Sequence, residues 1–292
     1  MFRILVPVDF TKASLNASRY ALALATAAPQ AQLLLLHCFQ DYLADADTAP
    51  PLEMTASEEV TERVIDRNIT EAENQLEELY QQLRSEAATR NPHTHVERAF
   101  IHGLPEEVIE DEAKRFKPNL VVMGTKGEAN IARSFFGTVT TKVVQELNIP
   151  VLTIPGTYTS TQLTKVAYAS DFEEADSKAI KQLQQLFEPF SPQLTCVHIS
   201  KNSKQQDQDK LNNLKHRLAQ LTPQVSISYT LQEGDNVAKA LQEYVQEQQV
   251  SLLALTTHKR SGLGSILHPS LAQKLILESE VPLLVFHNPE DA

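Results

Sequence analysis

Three glycines near the middle of the chain are spaced in a way that could bind phosphate. Gly124 follows a short apolar run, two residues separate it from Gly127, and nine more separate Gly127 from the pair Gly137-Thr138. A glycine lets the backbone pass close to a ligand, because no Cβ stands in the way. We expect Gly137-Thr138 to open a helix, with Thr138 as a capping hydroxyl, so that free N–H groups and the positive helix end face the ligand. Glycines in loops are more often simple turns, so the spacing alone leaves both interpretations open.

This glycine pattern differs from the familiar phosphate motifs. Walker A requires Gly-x4-Gly-Lys-[Ser/Thr], and the dinucleotide fingerprint requires Gly-x-Gly-x-x-Gly after the first strand. The first apolar run here ends in Pro-Val-Asp-Phe, without glycine. Searches for His-Glu-x-x-His, Gly-x-Ser-x-Gly and Cys-x-x-Cys also find nothing, which argues against zincin, nucleophile-elbow and zinc-finger chemistry.

The elements that must position these glycines occur twice along the chain. The run Ile4–Phe10 returns as Val166–Phe172, each ending in Asp-Phe, and Leu33–His37 returns as Leu194–His198. Asp9 and Asp171 are 162 residues apart, whereas Gly103 and Gly234 are 131 apart. The first copy therefore holds about thirty extra residues, which we assign to 41–90. We predict a loop and one amphipathic helix there, the loop being either a lid, a partner surface or a connection without a role.

Each copy alternates five short apolar runs with four helical patterns. Nearly continuous apolar strands joined by helices indicate a parallel sheet covered on both faces. The predicted fold is α/β, with two tandem doubly wound, five-stranded, Rossmann-like domains at residues 1–158 and 159–292, joined through Gly156–Leu163. The predicted strands are 3–8, 32–39, 95–101, 120–123, 151–154, 165–169, 194–199, 225–231, 252–255 and 283–286.

The net charge and the cysteine count argue against several classes of partner and of protein. The 292 residues carry 26 Lys and Arg against 37 Asp and Glu, a formal charge of −11, and this charge disfavours nucleic acid and anionic membranes. Residues 1–158 hold 14 basic and 22 acidic side chains, about −8, and the rest hold 12 and 15, about −3. Two cysteines exclude a disulfide scaffold. With neither a long apolar run nor a signal-peptide pattern, the expectation is a globular cytoplasmic protein.

At this point the residues resemble a known family. Gly124-x2-Gly127-x9-Gly137-Thr138 is similar to the G-x2-G-x9-G-[S/T] nucleotide motif in the ATP-binding branch of the universal stress protein family. Ile-Leu-Val-Pro-Val-Asp-Phe at the start, Leu-Leu-His, Gly-Leu-Pro and Ile-Pro-Val-Leu resemble further landmarks of that family in the same order. The resemblance covers nearly the whole chain twice, as in a tandem member.

The resemblance implies a ligand and the residues that bind it. The ligand would be ATP, or ADP or AMP, alone or with Mg²⁺. Adenine and ribose would contact Pro7, Val8, Asp9, Cys38, Met123 and Gly124; the phosphates would contact Lys126, Gly127, Gly137, Thr138 and Val139. The alternatives to ligand binding are that Asp9 is only a charge at a helix N-terminus and that Lys126 is only a solvated surface cation. For His37 we favour a structural role in the core over a ligand contact.

The second copy departs from the motif. Thr256, Lys259 and Pro269 stand opposite the three glycines, and Ser270 stands opposite Thr138. Side chains then occupy positions where backbone should approach phosphate, and proline lacks an N–H. We predict weak or no nucleotide binding there; the alternative is a small anion held by His258, Lys259 and Arg260.

The leading hypothesis is an ATP-binding stress-response protein whose second domain is the structural partner of the first. The resemblance implies that strands 151–154 and 283–286 pair across a pseudo-twofold axis, with further self-association through other surfaces as an additional option. The alternative is a slow ATPase or self-phosphorylating enzyme with Thr138 or Thr140 as acceptor, but no evident general base or carboxylate pair for Mg²⁺ supports it. A phosphoacceptor receiver domain is excluded, because the required acidic cluster and lysine are missing.

Overall fold

A computed structural model describes residues 1–40, 58–125, 136–201, 204–222, 226–257 and 269–287 of the chain. The first half contains, in order, β1 Phe2–Pro7, α1 Lys12–Ala27, β2 Ala31–Phe39, α2 Glu58–Arg90, β3 Thr94–His102, α3 Pro105–Phe116, β4 Leu120–Gly124, α4 Phe136–Glu146 and β5 Val151–Ile154. The second contains β6 Lys165–Ala169, α5 Glu174–Phe187, a short 3₁₀ turn, β7 Gln193–Ser200, α6 Lys204–Leu221, β8 Ile227–Glu233, α7 Val237–Glu247, β9 Leu252–Thr257, α8 Pro269–Glu278 and β10 Leu283–His287.

The ten strands of the described residues form one sheet in the order β3-β2-β1-β4-β5-β10-β9-β6-β7-β8. The strands are parallel within each half, and the strand order reverses between β1 and β4 and again between β6 and β9. Helices cover both faces of the sheet. The predicted fold class of two doubly wound α/β units is therefore confirmed.

The two halves meet through their last strands. β5 and β10 run antiparallel, with Leu152 opposite Leu284, and the Thr153 hydroxyl donates to the Leu283 carbonyl at 3.2 Å. The connecting segment is tied to both halves. The buried Asn16 amide donates to the Gly156 carbonyl at 2.9 Å, and the Tyr158 hydroxyl donates to the Ser251 carbonyl at 3.2 Å.

Two apolar layers hold the sheet between the helices. α1, α2, α5 and α6 cover one face, and α3, α4, α7 and α8 cover the other. Alternate side chains of a strand point to opposite layers, and because both layers are apolar, the strands are apolar on both faces. In β2, Leu33 and Leu35 face α1 and α2, whereas Leu34 and Leu36 face α3 and α4.

The extra residues of the first half lie at the start of α2. Strand register makes Val96 equivalent to Ile227, an offset of 131, so the start of α6 at Lys204 corresponds to residue 73 of α2. The part of α2 before residue 73 therefore has no counterpart in the second half. Leu76, Leu79 and Leu83 of the shared part are buried, as their helical spacing predicts. The predicted loop, 41–57, lies outside the described residues.

Within the residues that the structure describes, no helix is both long and apolar enough to cross a bilayer.

Candidate functional site

The predicted site lies where the strand order reverses in the first half. In an open parallel sheet, ligands bind beyond the carboxyl ends of the strands at this position. Register pairs Leu5 with Val121, so β1 and β4 end side by side, with Pro7 level with Met123. Val8 and Asp9 continue from β1, and Gly124 ends β4. Five of the residues named by the resemblance are thus brought to one crevice.

Asp9 sits in a turn that is fixed by its own hydrogen bonds. The Thr11 hydroxyl donates to Asp9 Oδ1 at 2.6 Å, and the Thr11 N–H donates to the same oxygen at 3.1 Å. Thr11 caps α1 by accepting from the Ser14 N–H, and the Ser14 hydroxyl accepts from the Asp9 N–H, both at 3.3 Å. Oδ2 has no hydrogen-bond partner within the described part of the chain. The turn thus orients one carboxylate oxygen and leaves the other available to a ligand hydroxyl.

His37 contacts the residues on both sides of Asp9. Its Nδ1 lies 2.7 Å from the Val8 carbonyl oxygen, and because a carbonyl can only accept, Nδ1 carries the proton. Its ring stacks on Phe10, with 4.7 Å between centroids. Burial lowers the pKa of His37, against smaller opposing effects of the Val8 hydrogen bond and the Asp9 charge, so the ring is neutral at pH 7. His37 is half-buried near the end of β2, and the preference for a structural role over a ligand contact stays a prediction.

The predicted site residues did not include Phe10, which stacks on His37 and has an unusual backbone conformation. Its φ of +61° lies in the left-handed region, which bulky side chains rarely adopt. The available signal was the repeat itself, because Asp-Phe and a later histidine recur together in both halves.

Cys38 points to the opposite face of β2 from His37. Its thiol lies 4.0 Å from the Pro105 carbonyl oxygen at the start of α3, and its side chain packs against the apolar layer under α3 and α4. Burial, followed by the charges of Glu106 and Glu112, raises the pKa of Cys38 to about 12. The thiol stays protonated at pH 7, which suits an apolar contact rather than nucleophilic chemistry.

Gly124 is required for a reason that the spacing did not reveal. A Cβ at this position would lie 2.5 Å from the Ala13 carbonyl carbon and 2.6 Å from the Ser14 nitrogen, both backbone atoms of α1. The missing side chain therefore lets α1 pack against the end of β4. The neighbouring Met123 is fully buried, so its side chain is not exposed to the crevice.

The backbone of the predicted phosphate helix is already helical at Gly137 and Thr138. α4 starts at Phe136, so Gly137 and Thr138 lie in its first turn, and the prediction that Thr138 caps the helix is wrong. The N–H groups of a first turn have no partner inside the helix, so those of Gly137 and Thr138 remain suited to an anion. Val139 is the next residue and its side chain is buried. Lys126 and Gly127 lie outside the described residues.

Thr140 joins the two elements that border the crevice. Its hydroxyl is fully buried and donates to the Gly124 carbonyl at 3.1 Å. This bond fixes the first turns of α4 against the end of β4.

The second half repeats the Asp-Phe turn. His198 Nδ1 lies 2.6 Å from the Ser170 carbonyl oxygen, and its ring lies 4.1 Å from that of Phe172, whose φ is +69°. Both halves therefore contain the same Asp-Phe turn, held by a histidine.

The second half differs where the first helix meets the fourth strand of its sheet. Thr256, opposite Gly124, is hydrogen-bonded at 2.7 Å to the Tyr168 hydroxyl, which donates to Asp176 Oδ1 at 2.8 Å. The Ser170 hydroxyl donates to Asp176 Oδ2 at 2.5 Å. Asp176 is 1% exposed, and burial raises its pKa to about 7. We call Tyr168, Ser170, Asp176 and Thr256 the polar cluster.

Several predicted residues of the second half fall outside the described part of the chain. These are His258, Lys259 and Arg260, while for Pro269 and Ser270 the helix is described but the side chains are not. In the part of the chain that the structure describes, no group of three His, Cys, Asp or Glu side chains could hold a metal ion.

Comparison with known proteins gives the family. A family model described as "Universal stress protein family" matches residues 1–155 and 163–287. Universal stress protein E of Escherichia coli K12 is 38% identical over 72 residues, 25% of this chain and 22% of that protein, so the match spans about a fifth of the relative's length. Universal stress protein MJ0531 of Methanocaldococcus jannaschii is 24% identical over 152 residues, 52% of this chain and 81% of that protein.

A solved structure supports the fold over the full length. The crystal structure of a universal stress protein from Archaeoglobus fulgidus aligns with 98% of both chains at a TM-score of 0.71 and 17% identity. At this identity the likeness is evidence for the fold alone. From the family match over both halves, the chain belongs to the universal stress protein family and contains two tandem domains of that family.

Proposed function

We propose that the first domain binds an adenine nucleotide, ATP or else ADP or AMP, in the crevice between β1 and β4. The observation that carries the proposal is the arrangement at this crevice. A fixed carboxylate, Asp9, stands at the end of β1, and beyond β4 lies a helix whose first turn holds Gly137 and Thr138. The two ends suit opposite parts of a nucleotide, hydroxyl donors at Asp9 and phosphate oxygens at the helix start.

In this proposal, each residue of the site contacts a particular part of the nucleotide. Pro7 and Val8 border the base, Cys38 offers an apolar contact, and Met123 and Gly124 present backbone atoms. The N–H groups of Gly127, Gly137, Thr138 and Val139 would bind the phosphates, with Lys126 supplying positive charge. Any Mg²⁺ would enter with the phosphates, since no cluster of carboxylates stands in the described part of the crevice.

We also propose that the second domain serves as a structural partner and binds no nucleotide. The antiparallel pairing of β5 with β10 supports the partner role, because it joins two sheet edges that would otherwise be exposed. The loss of all three motif glycines supports the absence of nucleotide.

The enzymatic alternative is less well supported. Thr140 was one of two candidate acceptors for self-phosphorylation, yet its hydroxyl is fully buried and committed to the Gly124 carbonyl. A binding protein of the stress response, with nucleotide as its ligand, is the function that the crevice favours.

Calorimetric titration with ATP tests the proposal. We expect one nucleotide per chain, and we expect Gly127→Val to abolish binding, because a branched side chain would occupy the path of the backbone beside the phosphates. The matched control is Lys259→Val at the equivalent position of the second domain, which should bind like the wild type. Nucleotide in the second domain with the first empty, or unchanged binding by Gly127→Val, would contradict the proposal.

The same samples test the enzymatic alternative. Incubation with ATP followed by phosphate release should give equal rates for the wild type and Gly127→Val. A wild-type rate well above this control would instead favour an ATPase.

A further inference from the structure

Both neighbours of Asp9 are held by one side chain. His37 donates from Nδ1 to the carbonyl of Val8 and stacks its ring on Phe10, so the residue between them is fixed from both sides. Asp9 itself makes no ring contact or hydrogen bond with His37 in the described structure. Thr11 orients the Asp9 carboxylate through two hydrogen bonds to Oδ1, and His37 holds the backbone on either side of Asp9 without touching it.

The backbone of Phe10 adopts a conformation that needs support from its surroundings. A left-handed conformation costs a non-glycine residue on the order of 1–2 kcal/mol, so it persists only where surrounding contacts compensate. The ring stacking with His37 provides one such contact, and the hydrogen bond to the Val8 carbonyl holds the Val8–Asp9 peptide in place. Without them, Phe10 would relax toward negative φ and turn the Asp9 side chain with it.

We propose that His37 is a positioning residue for nucleotide binding, which sets the affinity of the first domain by holding Asp9 in its binding orientation. The inference rests on the proposed function, since it concerns the same crevice. Preorganised side chains bind more tightly because they lose less conformational freedom on binding. Loss of the His37 donor should therefore weaken binding without removing any atom that contacts the nucleotide.

The second domain supplies an internal control for this inference. His198 makes the same hydrogen bond to Ser170 and the same ring contact with Phe172, so its loss should disturb the turn equally. Its Nε2 also lies 3.7 Å from Asp207 Oδ2, and within the described residues His37 has no such contact with a carboxylate. Because the second domain binds no nucleotide in our proposal, a change at His198 should leave the affinity unaltered.

The test compares nucleotide affinity across matched variants of the full chain. His37→Phe keeps a stacking ring but removes the N–H, and we expect the Kd for ATP to rise about tenfold, a free-energy change of about 1.4 kcal/mol. His37→Asn places an amide N–H near the position of Nδ1 and should remain within about threefold of the wild type. His198→Phe should match the wild-type Kd, although both Phe variants should lower the melting temperature.

A double-mutant cycle shows whether His37 acts through Asp9. In an Asp9→Ala background, His37→Phe should cause no further loss of affinity, because the carboxylate that it positions is gone. A tenfold loss in that background, or wild-type affinity in the single His37→Phe variant, overturns the inference and leaves the proposed function intact. No ATP binding by the wild type would overturn the proposed function and this inference together.

Discussion

The two domains solve the same packing problem in opposite ways. In the first, α1 rests directly on the end of β4, because Gly124 offers no side chain. In the second, Thr256 stands at that position, and its hydroxyl is hydrogen-bonded to the Tyr168 hydroxyl. One fold therefore accepts either a close backbone contact or a buried polar cluster at the same place.

The replacement involves several positions together. Val6, Val8 and Ser14 of the first domain correspond, 162 residues later, to Tyr168, Ser170 and Asp176. A buried carboxylate is costly unless it is hydrogen-bonded or protonated. Tyr168 and Ser170 donate to Asp176, and Thr256 completes the chain of hydrogen bonds. The difference shows that the end of the fourth strand, rather than the shared turn, distinguishes the two domains.

The largest expected difference between the domains concerns pH. Burial raises the pKa of Asp176 from 3.8 to about 7, with the charges of Asp171 and Glu173 adding to the shift. Between about pH 4 and 7 the folded state keeps a proton that the unfolded state has lost, so stability falls as the pH rises. We expect this loss to reach up to about 4 kcal/mol, and Asp176→Asn to abolish it. Urea unfolding followed by circular dichroism from pH 4 to 8 measures the difference.

The matched control for Asp176 is Asp111→Asn on α3. The Asp111 side chain is 79% exposed, so its loss should leave the pH dependence of unfolding unchanged. If Asp176→Asn and the wild type show parallel stability curves across this pH range, the buried carboxyl does not distinguish the second domain.

A smaller effect is expected when the first domain receives the side chain that the second tolerates. Gly124→Ala would place a Cβ 2.5 Å from the Ala13 carbonyl carbon, so α1 must shift away from β4. Overpacking of this kind costs about 1–3 kcal/mol, measured as a lower urea midpoint.

The counterpart in the second domain sharpens that comparison. Thr256→Ala keeps the Cβ and removes one hydrogen bond to Tyr168, for which we expect a loss of about 1 kcal/mol. Equal tolerance of Gly124→Ala and Thr256→Ala would mean that the close contact of α1 with β4 is not a constraint on the first domain.

The smallest expected effect concerns an ion pair on α3 and α4. Lys142 Nζ lies 2.8 Å from Glu106 Oε1, and the hydrogen bond from Lys142 lowers the pKa of Glu106. The equivalent of Glu106 in the second domain is Val237, so this pair belongs to the first domain alone. Because the Lys142 side chain is 48% exposed, Glu106→Gln should cost about 0.5 kcal/mol at pH 7.

The lowered pKa of Glu106 defines the pH range in which the ion pair stabilises the fold. Its contribution is present above the ordinary glutamate pKa and is lost as the pH falls through the lower folded-state value. Thermal unfolding at pH 7 and at pH 3 should therefore separate Glu106→Gln from the wild type at the higher pH and not at the lower. Glu107→Gln, an exposed neighbour, is the control and should change the melting temperature less. A loss for Glu106→Gln that is equally large at pH 3 would contradict the ion-pair explanation.

Much of the fold could be predicted because its signals are local. Short apolar runs placed all ten strands, and the helical spacing of Leu76, Leu79 and Leu83 marked the buried face of α2. An apolar strand that ends in histidine favoured a structural role for His37, but its contacts with Val8 and Phe10 came only from the structure. Thr138 was expected at the cap of α4 but lies within the helix, because threonine favours a cap position but does not require one.

The reasons behind several site residues could not be predicted, because they depend on contacts between distant segments. The family resemblance assigned Gly124 to ligand binding, yet its nearest constraint is the backbone of Ala13 and Ser14. Asp176 carried no motif, and its burial depends on Tyr168 and Thr256, which are 8 and 80 residues away in sequence. Neither relation repeats at a fixed short period, so periodicity arguments do not detect it.

The sequence by itself determined that this protein is a duplicated α/β chain whose three-glycine pattern occurs in one copy, because strand periodicity, glycine spacing and repetition are written in residue order. Tertiary structure alone decided what those positions touch. It showed that Gly124 makes room for α1, that His37 secures the turn around Asp9, and that a protonatable carboxyl lies buried in the second domain. The physical reason is that close approach and burial are properties of pairs of segments, which become neighbours only when the sheet has formed.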